Sequence, residues 1–414
     1  MTDATHIKSH IATETDKTFS ELVELRRDIH RHPELAYEEH RTGNLVIEYL
    51  TRLDAEIDIE RHVAQTGVVA HLVGKKATPS SKVIALRADL DALPMPEETA
   101  HHFKSTIEGK MHACGHDAHT ASLLGVAKVL SSIQDELSGT VKFIFQPSEE
   151  KIPGGAKPML DEGIFERRKP DAVFGQHCIP QVPVGKIGFY SGAMMAAADE
   201  LYITVRGKGG HGSAPHRTAD PIVAAVQLVT SLQTIISRNF PPGAPGVVTI
   251  AAINGGSATN IIPNEVKMMG TLRTMDESLR TLAHQRLEEI VHFTGKALGV
   301  QAEIEIRRGY PVLINDKSMT DFAWNAAKEF LGDENAIQAE PIMGAEDFAY
   351  FLQACPGSFW QLGVGNAARG ITHNIHSTLF DIDEDALRVG TGFTSYLAWK
   401  FLHETSLSSS PCQN

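Results

Sequence analysis

The sequence has little cysteine and no long apolar run, and these two features exclude several classes of protein. Four cysteines occur in 414 residues, Cys114, Cys178, Cys355 and Cys412, too few and too widely spaced for a disulfide framework. No apolar run approaches the roughly 20 residues of a membrane-spanning helix. The N-terminal stretch is polar, without the apolar core of a secretory signal, and the chain ends in a polar tail. We therefore expect a cytoplasmic protein with no membrane partner.

The chain also lacks an excess of positive charge. Its formal net charge is −13, and an acidic surface repels phosphate backbones, so we expect no nucleic-acid partner. The overall composition is that of an ordinary globular protein. A chain of 414 residues exceeds the size at which one hydrophobic core usually keeps growing, which favours two domains.

Strand patterns alternate with helical patterns in the first half of the chain. Residues 82–89 (KVIALRAD), 140–146 (TVKFIFQ) and 171–177 (DAVFGQH) each predict a short buried strand. Apolar spacing over 19–32 and 121–133 predicts helices. This alternation is typical of an α/β domain with a mostly parallel sheet.

The pattern changes near residue 190, where small residues over 190–200 indicate a flexible hinge. The segments that follow predict strand, helix, strand, strand, helix and strand: 200–209, a helix capped by Asp220 with Pro221 as its first residue, 246–255, 265–274, 276–298 and 302–311. This order fits an antiparallel sheet with two helices on one face, a ferredoxin-like α+β arrangement. We therefore predict a smaller α+β domain at 193–311, inserted into a larger domain made of 1–192 and 312–414.

Residues that bind metal or move protons follow the predicted strands. Asp89 ends the first strand with Asp91 beyond it, Glu149 and Glu150 follow the second, and His177 ends the third. Sites in open α/β sheets form outside the carboxyl ends of the strands, so these side chains should meet at one rim. Neighbours on a strand point to opposite faces. The two glutamates can therefore share a site only if the backbone bends, as the preceding proline allows.

The stretch MHACGHDAHT, residues 111–120, lies just before a helix and carries five further candidates: His112, Cys114, His116, Asp117 and His119. Each candidate has an ordinary structural explanation when taken alone. A lone HxxxH pattern is more often surface or packing than a metal site, and the aspartate could equally cap the helix. Adjacent acids are usually a solvated loop. Taken together, these explanations require several independent coincidences at strand ends, so we predict a metal site.

The residue types indicate the kind of metal and the kind of site. Imidazole and carboxylate groups with one thiolate suit Zn, Co, Ni or Mn rather than Mg or Ca. Cys-x-His is not the CxxC spacing of a structural zinc site, which favours an open catalytic site. A metal-bound water beside a free glutamate is the machinery of hydrolysis.

With these residues in place, the chain resembles the M20 metallopeptidases over roughly residues 20–400. Within that family it is similar to the N-acyl-amino-acid amidohydrolases, a branch that includes hippurate hydrolases and auxin-amino-acid conjugate hydrolases. The main landmarks, in order, are RRDIHRHPELAYEE (26–39), RADLDALP (87–94), MHACGHDAHT (111–120), GTVKFIFQPSEE (139–150), GQH (175–177), GKGGHGSAPH (207–216), GGSATNIIPNE (255–265), GAEDFAYF (344–351) and NIHSTLFDIDEDAL (374–387).

The resemblance implies a role for each residue of the metal site. The positions that match the ligands of two metal ions in the family are Cys114, His116, Glu150, His177 and His376. Glu149 stands where the family keeps its general base. Asp89 matches an acid that orients a ligand histidine. Arg87 departs from the pattern, because many M20 enzymes have a ligand histidine there and arginine cannot ligate metal. The identity and occupancy of each metal therefore stay open.

Three residues of the predicted inserted domain also match the family. His211 matches a histidine that polarises the scissile carbonyl, which in dimeric relatives comes from the partner subunit. Asn260 and Arg273 match groups that hold the substrate carboxylate. The resemblance thus implies that this domain acts as a lid and forms a homodimer, and leaves open whether His211 acts in cis or in trans.

These observations predict a metal-dependent amidohydrolase that uses two divalent ions (Mn, Zn, Co or Ni). It would cleave N-acyl amino acids, aromatic or aliphatic, to a carboxylic acid and a free amino acid. A metallo-carboxypeptidase or dipeptidase of the same fold is the alternative. A cysteine hydrolase with Cys114 as nucleophile would leave Glu149, Glu150, His177 and His376 without a function. A non-catalytic metal-binding protein is disfavoured because the base and the ligands are all present.

Overall fold

A computed structural model describes residues 2–404, with side chains from residue 4 onward, so Cys412 and the polar tail lie outside the described residues. The α-helices of this part are α1 (Thr2–Arg31), α2 (His40–Thr51), α3 (His116–Ser131), α4 (Ala156–Asp161), α5 (Pro221–Leu232), α6 (Glu277–Ala297), α7 (Lys317–Leu331), α8 (Ala349–Ala354) and α9 (Asp385–His403).

The strands of the described chain vary in length from two to twelve residues. They are β1 (Ile57–Val63), β2 (Gly67–Val73), β3 (Val83–Asp89), β4 (Thr140–Gln146), β5 (Ala172–Pro183), β6 (Ile187–Phe189), β7 (Gly192–Met195), β8 (Ala197–Arg206), β9 (Gly210–His211), β10 (Gly246–Asn254), β11 (Ile261–Ile262), β12 (Glu265–Thr274), β13 (Gln301–Arg308), β14 (Leu313–Asn315), β15 (Ala336–Gln338) and β16 (Gly357–Gly365).

The chain separates into two compact units. The first holds the described residues of Met1–Gly192, Ile314–Glu340 and Tyr350–Asn414, and the second holds Ala193–Leu313 and Pro341–Ala349. The predicted inserted domain, 193–311, lacks the segment Pro341–Ala349, which also belongs to the second unit. A role of the second unit as a lid stays a prediction.

An eight-stranded sheet forms the centre of the first unit, in the order β1-β2-β4-β3-β5-β16-β6-β15. The pairings β4–β3, β3–β5, β5–β16 and β6–β15 are parallel. The pairings β1–β2, β2–β4 and β16–β6 are antiparallel. Helices α1, α2, α3, α7 and α9 contribute apolar side chains to the same core. The predicted α/β class with a large, mostly parallel sheet is therefore confirmed.

The register of the central strands aligns the residues that the sequence marks as strand ends. Asp89 pairs with Gln146, so β3 and β4 end side by side. The third strand is longer than predicted: β5 continues to Pro183, and His177 lies inside it opposite Gln361 of β16. The extension forms because β16 supplies a parallel partner through that stretch, which the local pattern of β5 does not reveal.

The second unit contains a four-stranded antiparallel sheet, in the order β10-β12-β8-β13. Its elements follow the predicted order of β8, α5, β10, β12, α6 and β13. Residues of α5, α6 and one sheet face form its apolar core. Asp220 caps α5 as predicted, because its carboxylate accepts hydrogen bonds from the N–H groups of Ile222 (2.9 Å) and Val223 (3.4 Å).

Two predictions of local structure are wrong. The expected hinge at 190–200 is mostly strand, because Ala197 and Ala198 pair with β12 and the stretch from Met194 to Asp199 is buried. The first helix begins at Thr2 rather than near residue 19. In the part of the chain that the structure describes, no helix is long and apolar enough to cross a membrane.

Candidate metal centre

A tight turn joins two of the expected ligands. Cys114 is followed by Gly115, which has a left-handed φ of +87°, and His116 is the first residue of α3. A Cβ atom at position 115 would lie 2.9 Å from the Cβ of Cys178, closer than real contacts allow. Both the backbone conformation and the lack of space require glycine here.

The donor atoms of Cys114, His116 and His177 lie within 4.8 Å of one another, and all three residues are buried. The Sγ atom of Cys114 is 3.4 Å from Nε2 of His177. Two ligands of one zinc ion, at about 2.3 Å for sulfur and about 2.0 Å for nitrogen, are at most about 4.3 Å apart. The thiol and this imidazole are therefore close enough to share an ion.

A second group of donors includes the same thiol. Cys114, Glu150 and His376 also lie within 4.8 Å of one another, and Nε2 of His376 is 3.2 Å from Oε1 of Glu150. His376 is held near the turn by its backbone N–H, which donates to the carbonyl of Ala113 at 2.7 Å. Because Cys114 belongs to both groups, its sulfur is placed where it could contact two ions.

The imidazoles of His116 and His177 present their Nε2 atoms to this cluster. Nδ1 of His116 is 2.9 Å from the carbonyl oxygen of Asp91, and Nδ1 of His177 is 2.9 Å from that of Cys178. A carbonyl only accepts, so in the neutral form of each ring the proton sits on Nδ1 and Nε2 has a free lone pair. Nε2 of His116 has no hydrogen-bond partner within residues 2–404. This arrangement suits a metal-binding imidazole.

His119 differs, because both of its ring nitrogens already have protein partners. Nδ1 donates to Oδ1 of Asp89 at 2.7 Å, and Nε2 accepts the backbone N–H of Cys178 at 2.9 Å. Arg87 fixes Asp89 in turn, with Nη1 donating to its Oδ2 at 2.7 Å and Nε donating to Oε1 of Gln146 at 2.8 Å. Asp89 therefore orients His119, and its Oδ2 also lies 3.5 Å from Nε2 of the expected ligand His116.

Asp117 does not cap α3. The capping position is Gly115, and the buried carboxylate of Asp117 instead lies 2.8 Å from both Nε of Arg26 and Nδ1 of His30. These contacts tie the start of α3 to α1. His112 is also buried, and it belongs to none of the groups of close metal donors in the described chain.

The backbone bends after β4 and brings both glutamates to the cluster. Ser148 has a left-handed φ of +53°. Its N–H donates to Oε1 of Glu39 at 2.8 Å, and the N–H groups of Glu149 and Glu150 donate to Oδ1 and Oδ2 of Asp91, each at 2.9 Å. Two carboxylates thus hold three successive N–H groups. In the sequence, Asp91 is marked by its place beyond β3 and by the landmark at 87–94, and Glu39 only by the landmark at 26–39.

Burial and neighbouring charges set the protonation of the cluster. Burial raises the pKa of the Cys114 thiol, and the charges of Glu150 and Glu149 raise it further. Burial lowers the pKa of His177 to about 3. For His116 burial works in the same direction, but nearby aspartates outweigh it and raise its pKa to about 10. A bound divalent cation would offset this concentration of acidic groups and favour the thiolate, so the donor set fits a metal ion.

The three remaining predicted site residues lie in the second unit. β9 pairs with β11, and the N–H of Gly212 donates to the carbonyl of Asn260 at 2.8 Å, which brings His211 and Asn260 together. Nδ1 of His211 accepts the N–H of Ser213 at 3.2 Å, so its neutral ring carries the proton on Nε2. Arg273 is a half-buried residue of β12, and burial lowers its pKa.

The family model of peptidase family M20/M25/M40 matches residues 85–400. The chain belongs to this family. The resemblance of the sequence to the M20 metallopeptidases is therefore confirmed.

Named relatives and a solved structure cover nearly the whole chain. Thermostable carboxypeptidase 1 of Saccharolobus solfataricus is 40% identical over 382 residues, 92% of this chain and 95% of the relative. IAA-amino acid hydrolase ILR1-like 4 of Arabidopsis thaliana is 38% identical over 395 residues, 94% of this chain and 88% of the relative. The YXEP protein of Bacillus subtilis, a dinuclear metal binding peptidase from the M20 family, has a TM-score of 0.79 at 35% identity, covering 94% of this chain and 99% of that one. The chain is thus an M20 hydrolase of amide bonds.

Proposed function

We propose that this M20 hydrolase cleaves N-acyl amino acids to a carboxylic acid and a free amino acid, using two divalent metal ions. One observation carries the proposal: the thiol of Cys114 belongs to two groups of metal donors, and a second glutamate, Glu149, stands beside the ligand Glu150. Similarity to an IAA-amino acid hydrolase supports an acyl amino acid as substrate.

The donor groups suggest how two ions would be held. Cys114, His116 and His177 would bind one ion, and Cys114, Glu150 and His376 the other. Bound ions would lower the pKa of a water molecule and polarise the acyl carbonyl. Zn, Co, Ni and Mn all suit these ligands, so the metal is a matter for experiment.

Glu149 would act as the general base. It is buried, and its carboxylate lies within 4.8 Å of the donor atoms of His116 and Glu150. A carboxylate in this place can take a proton from the attacking water and pass it to the leaving amine. The backbone N–H of Glu149 donates to Asp91 at 2.9 Å, which fixes the main chain from which this carboxylate extends.

The second unit would supply the groups that recognise the substrate. His211 is exposed, and its Nε2–H is the proton that could be donated to the oxyanion formed at the acyl carbon. Asn260, beside it, and the half-buried guanidinium of Arg273 would hold the free carboxylate of the amino acid. This step implies closure of the second unit as a lid.

We also propose a homodimer formed through the second unit, in the cytoplasm. Three apolar side chains of α5, Ile222, Val223 and Val226, are 41%, 57% and 60% exposed, and exposed apolar patches often mark protein–protein contacts. A dimer would allow the histidine to act on the partner's site. Sedimentation of the protein before and after Val226→Lys tests this assembly.

A metallo-carboxypeptidase is the second candidate, favoured by the 40% identity to Thermostable carboxypeptidase 1. Both reactions cleave an amide next to a free α-carboxylate, so the groups proposed above would serve either. The two candidates differ in what lies on the acyl side, an acyl chain in one case and a peptide in the other.

A substrate and metal screen tests the proposal. The purified protein is stripped with a chelator, restored with Mn, Zn, Co or Ni, and assayed with benzoyl, acetyl and long-chain acyl amino acids and with dipeptides. We expect turnover of at least one acyl amino acid, loss of turnover with the chelator, and recovery with metal. Turnover of dipeptides alone would favour the carboxypeptidase, and turnover that survives metal removal would reject both.

A further inference from the structure

Asp91 contacts three parts of the candidate metal centre at once. Its Oδ1 and Oδ2 accept the backbone N–H groups of Glu149 and Glu150, each at 2.9 Å. Its carbonyl oxygen lies 2.9 Å from Nδ1 of His116, and its Oδ1 lies 3.3 Å from the same nitrogen. The residue is 1% exposed. The general base and two ligands of the proposed function therefore meet at one aspartate.

We infer that Asp91 is a positioning residue, which sets the geometry of the general base and of two metal ligands without touching substrate or metal. The inference rests on the proposed function, because it assigns Asp91 to the base and the ligands named there. It assigns to this acid a role that neither the spacing of the strand ends nor the family landmarks indicate.

The geometry of the bend explains why a carboxylate is needed. Successive N–H groups of an extended strand point in opposite directions, but those of Glu149 and Glu150 converge on one side chain after the left-handed residue Ser148. A concave set of backbone N–H groups of this kind binds an anion. Each oxygen of Asp91 takes one N–H, and hydrogen bonds to a charged acceptor are stronger than neutral ones.

The surroundings of Asp91 indicate that its main role is to accept the N–H groups of Glu149 and Glu150. Among the described residues no Lys or Arg forms an ion pair with it, and the partners of its carboxylate are the two N–H groups and the imidazole of His116. A buried charge is costly unless it is hydrogen-bonded. Removing these contacts would therefore leave no other partner to hold the side chain or the bend.

The substitution Asp91→Asn keeps the shape of the side chain but removes one of its two hydrogen-bond acceptors. The amide has nearly the same shape, but one oxygen becomes an NH2 group that would face a backbone N–H, so one hydrogen bond is replaced by a contact between two donors. We expect metal affinity to fall about 10- to 100-fold, as when other partners of metal ligands are lost. We expect kcat to fall about 100-fold through displacement of the base, with KM changed less than about threefold.

Asp171→Asn is the matched control. The carboxylate of Asp171 accepts only one backbone N–H, that of Val83, at 2.8 Å, at the opposite end of β3. The amide oxygen of asparagine can keep that bond, while the loss of charge is the same as at position 91. We expect metal affinity and kcat of this variant to stay within about twofold of the natural protein.

The experiment uses the full chain, stripped of metal and titrated with Mn or Zn in a calorimeter, followed by steady-state kinetics of the restored enzyme. Melting curves in chelator show whether each variant folds. If Asp91→Asn does not fold, Asp91→Glu replaces it. Glutamate keeps the charge and both acceptors but is one methylene longer, so it should fold and still bind metal at least about tenfold more weakly.

The outcomes separate this inference from the proposed function. If the natural protein neither binds divalent ions nor hydrolyses acyl amino acids, the proposed function fails. If it does both, and a folded Asp91 variant matches Asp171→Asn in metal affinity and kcat, only the positioning role fails. A third outcome is possible. If the natural protein binds metal but has no amidase activity, and the Asp91 variant binds metal more weakly, Asp91 positions the metal ligands but the proposed reaction is rejected.

Discussion

Arg87 donates a hydrogen bond to Asp89 at 2.7 Å, and both side chains are buried. Arg87 stands where many M20 enzymes have a metal ligand, so at this position the chain has a fixed positive charge in place of a donor. The guanidinium occupies one oxygen of Asp89, and His119 occupies the other. The aspartate is thereby held by protein groups on both sides.

Replacing this arginine should destabilise the protein. Arg87→Met keeps much of the side-chain volume but leaves a buried carboxylate without its cation, which typically costs about 3–5 kcal/mol. Urea unfolding of the metal-free protein measures the loss. Arg52→Met, at an exposed i,i+4 pair with Glu48, is the control and should change stability by less than about 1 kcal/mol. Equal stability of the two variants would show that Asp89 does not depend on Arg87.

Removing the proposed base should abolish turnover and leave the metals bound. Glu149→Gln preserves the shape of the side chain but cannot accept a proton, and general-base catalysis typically contributes about 10²- to 10⁴-fold. We expect kcat to fall by about that factor, with two ions per chain still present by elemental analysis. A variant that retains both metals and near-normal kcat would contradict the assignment.

The shared thiol should control how many ions bind. Cys114→Ser replaces the donor common to both groups with a hydroxyl, a poor ligand for these metals. We expect fewer than two ions per chain and weaker binding of those that remain. Cys355→Ser is the control, since its buried thiol donates to the carbonyls of Pro170 (3.4 Å) and Pro356 (3.5 Å) and belongs to none of the donor groups of the described chain. If both variants bind two ions with the same affinity, Cys114 is not a ligand.

His211→Ala should slow the reaction without loss of metal, because the imidazole is proposed to stabilise the oxyanion. Loss of such a donor typically lowers kcat about 10²- to 10³-fold. Mixing this variant with Glu149→Gln distinguishes action in cis from action in trans. If the histidine acts in trans, each mixed dimer contains one intact site and one inactive site. Equal amounts of the two variants give mixed dimers in about half of the molecules, so about a quarter of the natural activity should return after subunit exchange. No recovery in a proven, exchanging dimer would place the histidine in cis.

Acid should weaken the second unit through Asp199. Burial alone would raise the pKa of this carboxyl, but hydrogen bonds from His284 (2.5 Å) and Arg280 (2.5 and 3.0 Å) outweigh it and lower the pKa to about 2. Because the folded pKa lies below the unfolded value of about 4, the stabilisation is complete above pH 4 and is lost as the pH falls towards 2. The contribution is about 2 kcal/mol.

Asp199→Asn removes this dependence and tests it directly. We expect the difference in unfolding free energy between the natural protein and the variant to shrink as the pH falls from about 5 to about 2. Hydrogen exchange at amides of β8 and β12 reports on the unit itself. A difference that stays constant over this range would show that Asp199 keeps an ordinary pKa in the folded protein.

The donor types of the metal centre could be predicted from the sequence. Sites in open α/β sheets form at the carboxyl ends of the strands, and this rule depends on topology alone. Parallel strands with aligned ends bring Asp89 and the residues after Gln146 to one rim whatever the side-chain detail. Local periodicity likewise gave the order of elements in the second unit. The roles of Asp91 and Glu39 were out of reach, since they depend on the direction of backbone N–H groups after the bend at Ser148.

The start of α1 has an apolar helix face that the polar composition of the N-terminal segment does not reveal. The first residues are polar overall, but Ile7 and Ile11 are 3% and 0% exposed, and Thr15, Thr18 and Leu22 are buried after them. A spacing of three or four residues places all of these on one helix face. The helix forms because that face packs on the core of the first unit. The average polarity of the segment does not predict this tertiary contact.

The candidate ligands come from four separate stretches of the chain, around residues 114, 150, 177 and 376, and the N–H of His376 is held by Ala113 at 2.7 Å. A partly folded chain therefore cannot assemble the site, since the last ligand arrives only when the C-terminal part of the first unit has docked. Ions that bind only the assembled site stabilise it by mass action. Loss of metal would then lower the stability of the first unit together with its activity.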